Sequence, residues 1–80
     1  MEKSEIQIIV GKKIKELRIQ KGITQVELVG RMRGEIDPTN ISRMESGKTN
    51  ITIYQLYRLS EGLEIPMKDF LDFELPEKQI

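Results

Sequence analysis

The segment between Asp37 and Gly47 gathers short hydrogen-bonding side chains around a single arginine. Helical spacing turns Ile41 and Met44 toward a core, which leaves a polar set on the other faces: Thr39, Asn40, Ser42, Arg43 and Ser46. None of these is acidic, whereas a helix meant only for solubility would more often carry Glu and Lys there. Arginine can pair in bidentate fashion with guanine, and asparagine with adenine. The residue types therefore suit a helix that enters the major groove of DNA and reads base edges.

Other kinds of chemistry have fewer residues to draw on. The 80 residues include no cysteine and no histidine. This excludes a disulfide framework, ordinary zinc or haem sites, and Ser-His or Cys-His nucleophile pairs. The acids Glu35, Asp37, Glu45 and Asp69 show no spacing that implies a paired carboxylate or a metal site. We therefore expect no enzyme activity, no catalytic residue, no metal and no cofactor.

Start and stop signals predict two helices in the first part of the chain. Ser4 can cap the first helix, which should end near Gln20 with Gly22 as its left-handed stop. Thr24 opens the second helix, and Glu27 three residues later completes a capping box. The two helices are therefore separated by a short turn.

Three further helices are predicted after residue 36. Asp37 followed by Pro38 is a start signal, because a side-chain cap precedes proline at the first helical position. Thr52 caps the next helix, with Gly62 as its stop, and Pro66 begins a short fifth helix. The fourth helix is predicted to turn four side chains inward: Ile53, Leu56, Tyr57 and Leu59.

Together these elements predict an all-α fold, a compact five-helix bundle with connections of about two to six residues. The length fits a single domain over residues 1–80, with a core of about 4–73 and a frayed tail over 74–80. The sequence has neither an apolar run of about 18 residues nor a signal-peptide pattern. We therefore expect a cytoplasmic protein without a membrane partner.

Charge is unevenly distributed although the formal net charge is zero, from 13 Lys and Arg against 13 Asp and Glu. Residues 11–33 carry seven basic and two acidic side chains, whereas residues 61–80 carry two basic and six acidic ones. The local field, rather than the sum, steers a polyanion toward a protein. The zero net charge thus does not exclude a nucleic-acid partner on the basic side.

Two stretches of the sequence carry a resemblance to a known family. Residues 17–25 read Leu-Arg-x-x-Lys-Gly-Ile-Thr-Gln, and residues 40–48 read Asn-Ile-Ser-Arg-Met-Glu-Ser-Gly-Lys. This combination resembles the Cro and phage-repressor (lambda repressor-like) family of helix-turn-helix regulators, over roughly residues 9–73. The resemblance implies a five-helix bundle of the lambda repressor-like DNA-binding type. It also implies a homodimer that binds a palindromic operator in double-stranded DNA.

The resemblance implies DNA contacts for nine residues: Gln25, Thr39, Asn40, Ser42, Arg43, Ser46, Lys48, Thr49 and Asn50. Gln25 is expected to bond a phosphate while bracing the third helix, and Arg43 is the strongest candidate for a base contact. Ser42 and Gln25 are equally compatible with ordinary surface positions. Arg18 and Glu45 match a family pair that ties the first helix to the third by a salt bridge.

The sequence departs from the family pattern in three places. The link from Arg33 to Asp37 is about two residues longer than usual, which leaves the angle of the third helix open. Pro38 occupies a position where many relatives carry a base-reading side chain. Val29 stands where a small alanine usually lets two helices approach. All three bear on which operator sequence is bound.

Three classes of function remain to be compared. The leading hypothesis is a sequence-specific transcriptional regulator, either a dimeric repressor or a small controller protein. The alternative is an antitoxin that binds a toxin protein through its acidic end as well as its own promoter; an enzyme is the weakest class. For self-association we expect an apolar surface near the end of the chain, unless its first two members complete the core: Phe70, Leu71, Phe73 and Leu75.

Overall fold

The computed structural model describes residues 1–33 and 36–75, and the regular structure within these ranges is entirely helical. It consists of α1 (Lys3–Gln20), α2 (Gln25–Arg31), α3 (Pro38–Glu45), α4 (Ile53–Leu63) and a final 3₁₀ helix (Met67–Leu71). The predicted all-α class is confirmed.

The predicted fifth α-helix is instead a 3₁₀ helix. Its hydrogen bonds span three residues, from Asp69 N–H to Pro66 O at 3.1 Å and from Asp72 N–H to Asp69 O at 3.3 Å. A five-residue segment that follows a proline is too short to build an α-helical ladder, and the tighter 3₁₀ turn suits such short pieces. Of the predicted tail over 74–80, residues 76–80 lie outside the described residues, and Glu74 and Leu75 belong to no helix.

Three of the predicted helix caps are confirmed. The side chains of Thr24, Asp37 and Thr52 each accept a hydrogen bond from the backbone N–H three residues later. The carboxylate of Glu27 in turn accepts the Thr24 N–H at 2.8 Å. This backbone hydrogen bond is the main cause that holds the pKa of Glu27 below its ordinary value. The short helices α2, α3 and α4 therefore begin where the sequence indicates.

Two predicted helix boundaries are wrong. Ser4 lies inside α1, whose N-cap is Glu2, because the Glu5 carboxylate accepts the Glu2 N–H at 2.8 Å and starts the helix earlier. Gly62 also lies inside its helix, and Glu64 takes the left-handed cap conformation instead, with φ 57°. Gly62 serves close packing, since a Cβ there would lie 2.8 Å from Cδ1 of Leu28.

The core collects side chains from every element. Its fully buried members are Ile14, Leu28, Ile41, Met44, Leu59, Leu63 and Phe70. Ile41 and Met44 turn inward as predicted, whereas Ile53 is 72% exposed and Tyr57 is 45% exposed, so their predicted inward orientation is wrong. The buried stripe of α4 runs through Leu56, Leu59 and Leu63 at three- and four-residue steps, and neither Ile53 nor Tyr57 falls at its centre.

Helix α1 lies against the end of α3 at very short range. A Cβ at Gly11 would overlap the carbonyl oxygen of Met44 and lie 3.0 Å from that of Glu45. Because both obstacles are backbone atoms, only glycine permits this approach. The C-terminal end of α3 therefore packs directly on the backbone of α1.

Within the described ranges, no helix is both long and apolar enough to span a bilayer.

Candidate nucleic-acid interface

Helix α3 presents a polar face to solvent. Thr39, Asn40, Ser42, Arg43 and Ser46 are all exposed, while Ile41 and Met44 are buried on the opposite side. Pro38 stands at the start of the helix, and the Asp37 carboxylate accepts the Asn40 N–H at 2.8 Å. Asp37 is therefore used by its cap, whereas the side chains of the next two turns are available to a partner.

The loop that follows α3 brings more of the predicted residues onto the same surface. Gly47 adopts a left-handed conformation with φ 76°, which reverses the chain so that the Lys48 N–H donates to the Arg43 carbonyl at 2.9 Å. Lys48 and Asn50 are exposed, and Thr49 is half-buried. The structure thus groups the loop residues with Arg43 at the end of α3.

A buried ion pair sets the position of α3. The Arg18 guanidinium binds both carboxylate oxygens of Glu45, from Nε at 2.6 Å and from Nη2 at 3.1 Å. Its Nη1 also donates to the Ile23 carbonyl at 2.7 Å. Both residues are buried, with 8% of Arg18 and 6% of Glu45 exposed. The predicted salt bridge between the first and third helices is therefore confirmed.

Gln25 extends this network to α2. Its Nε2 donates to Oε1 of Glu45 at 3.0 Å, so one carboxylate receives hydrogen bonds from α1 and from α2. The predicted bracing of the third helix by Gln25 is thus observed, and its predicted phosphate contact stays a prediction. In the part of the chain that the structure describes, every buried side-chain nitrogen or oxygen has a hydrogen-bond partner. A satisfied buried network of this kind favours one orientation of the helices.

Two basic residues of α1, Lys12 and Lys13, lie away from this network. Lys12 and Lys13 line a recess of about 220 Å³ with Ile9, Glu16 and Phe73, and no residue of α3 or of the following loop lines it. Lys13 also lies 3.7 Å from the Glu16 carboxylate. The basic run in the sequence is therefore divided in space, with these two lysines beside the C-terminal segment.

The link between α2 and α3 is only partly described, since residues 34 and 35 lie outside the described ranges. Arg33 before it has a left-handed backbone with φ 58°, and Ile36 after it is buried in the core. Val29 is half-buried and packs against that core. The lengthened link is thus anchored on its α3 side by an apolar contact, and α2 accommodates the larger valine.

Two residues of α1 that contact α3 or the loop after it were not singled out by the sequence. Gly11 seats α3 on α1, and a glycine inside an apolar helical pattern is a signal that could have indicated it. Gln7 donates from Nε2 to the Gly47 carbonyl at 3.1 Å. Its partner is 40 positions away, and no local pattern indicates such a pairing.

Known proteins resemble the chain both in sequence and in structure. A family model described as helix-turn-helix matches residues 14–70, which is more than half of the chain. The control protein C.MunI from Mycoplasma sp is 33% identical over 73 residues, covering 89% of this chain and 96% of that protein. The relationship therefore extends over nearly the whole described region.

Two crystal structures show the same arrangement. The restriction-modification controller protein C.AhdI from Aeromonas hydrophila superposes with a TM-score of 0.80 at 21% identity, over 88% of this chain and 99% of that one. The restriction-modification controller protein C.Esp1396I was solved as a tetramer in complex with its natural 35 base-pair operator. It superposes with a TM-score of 0.68 at 31% identity, over 82% of this chain and 95% of that one.

Proposed function

The chain belongs to the helix-turn-helix family, and from this premise we propose that it is a controller protein, a DNA-binding transcriptional regulator of restriction-modification genes. The restriction-modification genes in this proposal are taken from the relative C.Esp1396I, which is 31% identical over 82% of the chain. The control protein C.MunI, 33% identical over 89% of the chain, supports the controller role. Its site is the exposed polar face of α3 together with the loop over residues 46–50. The single domain acts in the cytoplasm, where its operator lies.

One observation carries this proposal: a polar, arginine-bearing helix face is held in one orientation by a buried network that links three helices. Arg18 and Gln25 both bind Glu45, which lies on the buried side of α3. Reading base edges needs a helix whose angle is fixed relative to the rest of the domain. The contacts of Arg18 and Gln25 with Glu45 give α3 such a fixed angle.

Roles for the predicted residues follow from their positions. Thr39, Asn40 and Arg43 are proposed to meet base edges, since they lie exposed on α3. Ser42 is proposed to stand at the edge of this contact. The remaining group is proposed to bind the phosphate backbone, which fixes register without reading sequence: Gln25, Ser46, Lys48, Thr49 and Asn50.

A homodimer is proposed to place two such helices on one operator. Phe70 is fully buried and belongs to the core, so it is unsuited to the predicted dimer surface, whereas Leu71 and Leu75 are about half exposed. Phe73 is half-buried beside α1. The exposed apolar surface also includes three side chains on α4 that we add to the proposed interface: Ile53, Tyr54 and Tyr57. The rings of the two tyrosines lie 6.1 Å apart.

The antitoxin alternative has no observation in its favour. None of the relatives named above is described as an antitoxin, and the family is one of DNA-binding regulators rather than enzymes. A stable complex with a small toxin protein that occludes the α3 face would revive it.

The proposed function is tested by selecting bound sequences from random duplexes at physiological salt. We expect enrichment of a palindrome whose half-sites are centred about ten base pairs apart, because a two-fold dimer presents one α3 to each half-site. An enriched asymmetric single site would contradict the dimer while leaving base reading intact. Equal recovery of all sequences would contradict the regulator itself.

A further inference from the structure

The loop over residues 46–50 packs against the N-terminal half of α1. None of the residues proposed to contact DNA lies in that half of α1. The side-chain amide of Gln7 donates to the Gly47 carbonyl at 3.1 Å in a half-buried position. Gly47 itself lies directly on the α1 backbone, since a Cβ there would be 2.6 Å from Cα of Ile8. The start of the loop thus contacts α1 in two ways, by the hydrogen bond from Gln7 and by the packing of Gly47 on Ile8.

Backbone hydrogen bonds join the loop to α3. The Gly47 N–H donates to the Met44 carbonyl at 3.1 Å, and the Lys48 N–H donates to the Arg43 carbonyl at 2.9 Å. Across residues 1–33 and 36–75, the hydrogen bond between this loop and α1 is the one that Gln7 makes. Gln7 is therefore the residue through which α1 is hydrogen-bonded to the loop.

Beyond Gly47, a groove of about 160 Å³ lies between the loop and α1. Gln7 and Val10 line the groove on the side of α1, and Thr49 and Asn50 line it on the side of the loop. Side chains that face an open groove are held by fewer contacts than side chains in the core, so hydrogen bonds at a neighbouring residue weigh more in their position. Gln7 supplies such a hydrogen bond at Gly47.

We propose that Gln7 is a positioning residue for DNA binding. Through the Gly47 carbonyl it holds Lys48, Thr49 and Asn50 where the phosphate backbone of the operator meets them. Gln7 itself makes no contact with DNA in this scheme. The proposal rests on the proposed function, because it concerns the backbone contacts of the same interface.

The test replaces Gln7 by methionine, which has a similar length but no hydrogen-bond donor. In the full chain, Gln7→Met should weaken operator binding roughly three- to tenfold, the range that one lost hydrogen bond produces. The salt dependence should flatten by about one released counterion per half-site, with the base preference unchanged. In the free protein, amide hydrogen exchange should accelerate at Gly47 and Lys48, whose N–H groups bond the Met44 and Arg43 carbonyls. Gln20→Met, the same change at an exposed position at the end of α1, should alter none of these quantities.

A double-mutant cycle separates positioning from general stability. In a background of Lys48→Ala, Thr49→Ala and Asn50→Ala, Gln7→Met should cost no further affinity, since nothing remains for it to position. An equal loss in both backgrounds would overturn the proposal, as would unchanged affinity and exchange in the single variant. Failure of the wild-type chain to bind any duplex would contradict the proposed function, whereas wild-type binding with an unaltered Gln7→Met variant contradicts the positioning role alone.

Discussion

Replacing Glu45 by alanine is expected to lower the free energy of unfolding by about 3–5 kcal/mol, the usual loss when one partner of a buried ion pair is removed. The change leaves Arg18, a residue that is 8% exposed, without the carboxylate that binds its Nε and Nη2. For a domain of this length the midpoint of thermal unfolding should fall by at least about 12 °C. Urea and thermal denaturation followed by circular dichroism measure both quantities.

The matched control removes both charges at once. Arg18→Met combined with Glu45→Met should recover most of the lost stability, because apolar side chains of similar volume avoid the cost of burying an unpaired charge. Gln25 loses its partner in this variant but remains half-exposed and can be hydrated. The Ile23 carbonyl also loses the hydrogen bond from Arg18 Nη1, which limits the recovery. A Glu45→Ala variant within about 1 kcal/mol of the wild-type protein would contradict the role assigned to this pair.

Replacing Arg43 by alanine is expected to reduce affinity for the selected operator by about 1–3 kcal/mol per half-site, or roughly 5- to 150-fold. The loss of sequence preference should be confined to one base pair in each half-site, because a bidentate arginine distinguishes guanine from the other bases. Stability should change little, since Arg43 is exposed and its hydrogen bond to the Lys48 carbonyl is long, at 3.5 Å. Fluorescence anisotropy titrations with single-substitution duplexes measure the preference position by position.

Lys48→Ala provides the contrast for this experiment. A lysine on a phosphate should weaken binding to all sequences alike and reduce the salt slope by about one per half-site, without changing the base preference. If Arg43→Ala behaves in the same way as Lys48→Ala, then Arg43 binds the backbone and base reading rests on Thr39 and Asn40 instead.

Much of this fold follows from local signals. The caps at Thr24, Asp37 and Thr52 are decided by hydrogen bonds within four residues, and such signals are visible in sequence. The Arg18–Glu45 pair spans 27 positions, and it was predicted only through a family resemblance. The exposure of the predicted DNA-contacting face of α3 followed from the inward spacing of Ile41 and Met44.

The remaining features depend on tertiary contacts. Gly62 looks like a helix stop, yet it is a packing residue because Leu28 lies against it. Ile53 and Tyr57 have the residue types of a core but lie outside the stripe that Leu56, Leu59 and Leu63 bury. Gln7 carries no local signal, since its hydrogen bond to Gly47 exists only after α1 and α3 have packed.

The most direct test of the central claim is a competition titration at physiological salt between the selected palindrome and a scrambled duplex of the same composition. Sequence-specific regulators typically bind their sites at least about 10³-fold more tightly than other DNA, and we expect a ratio of that order. A chain of zero net charge should reach it through base contacts by α3 from two protomers. Equal affinity for the two duplexes would contradict the assignment of this protein as an operator-reading regulator.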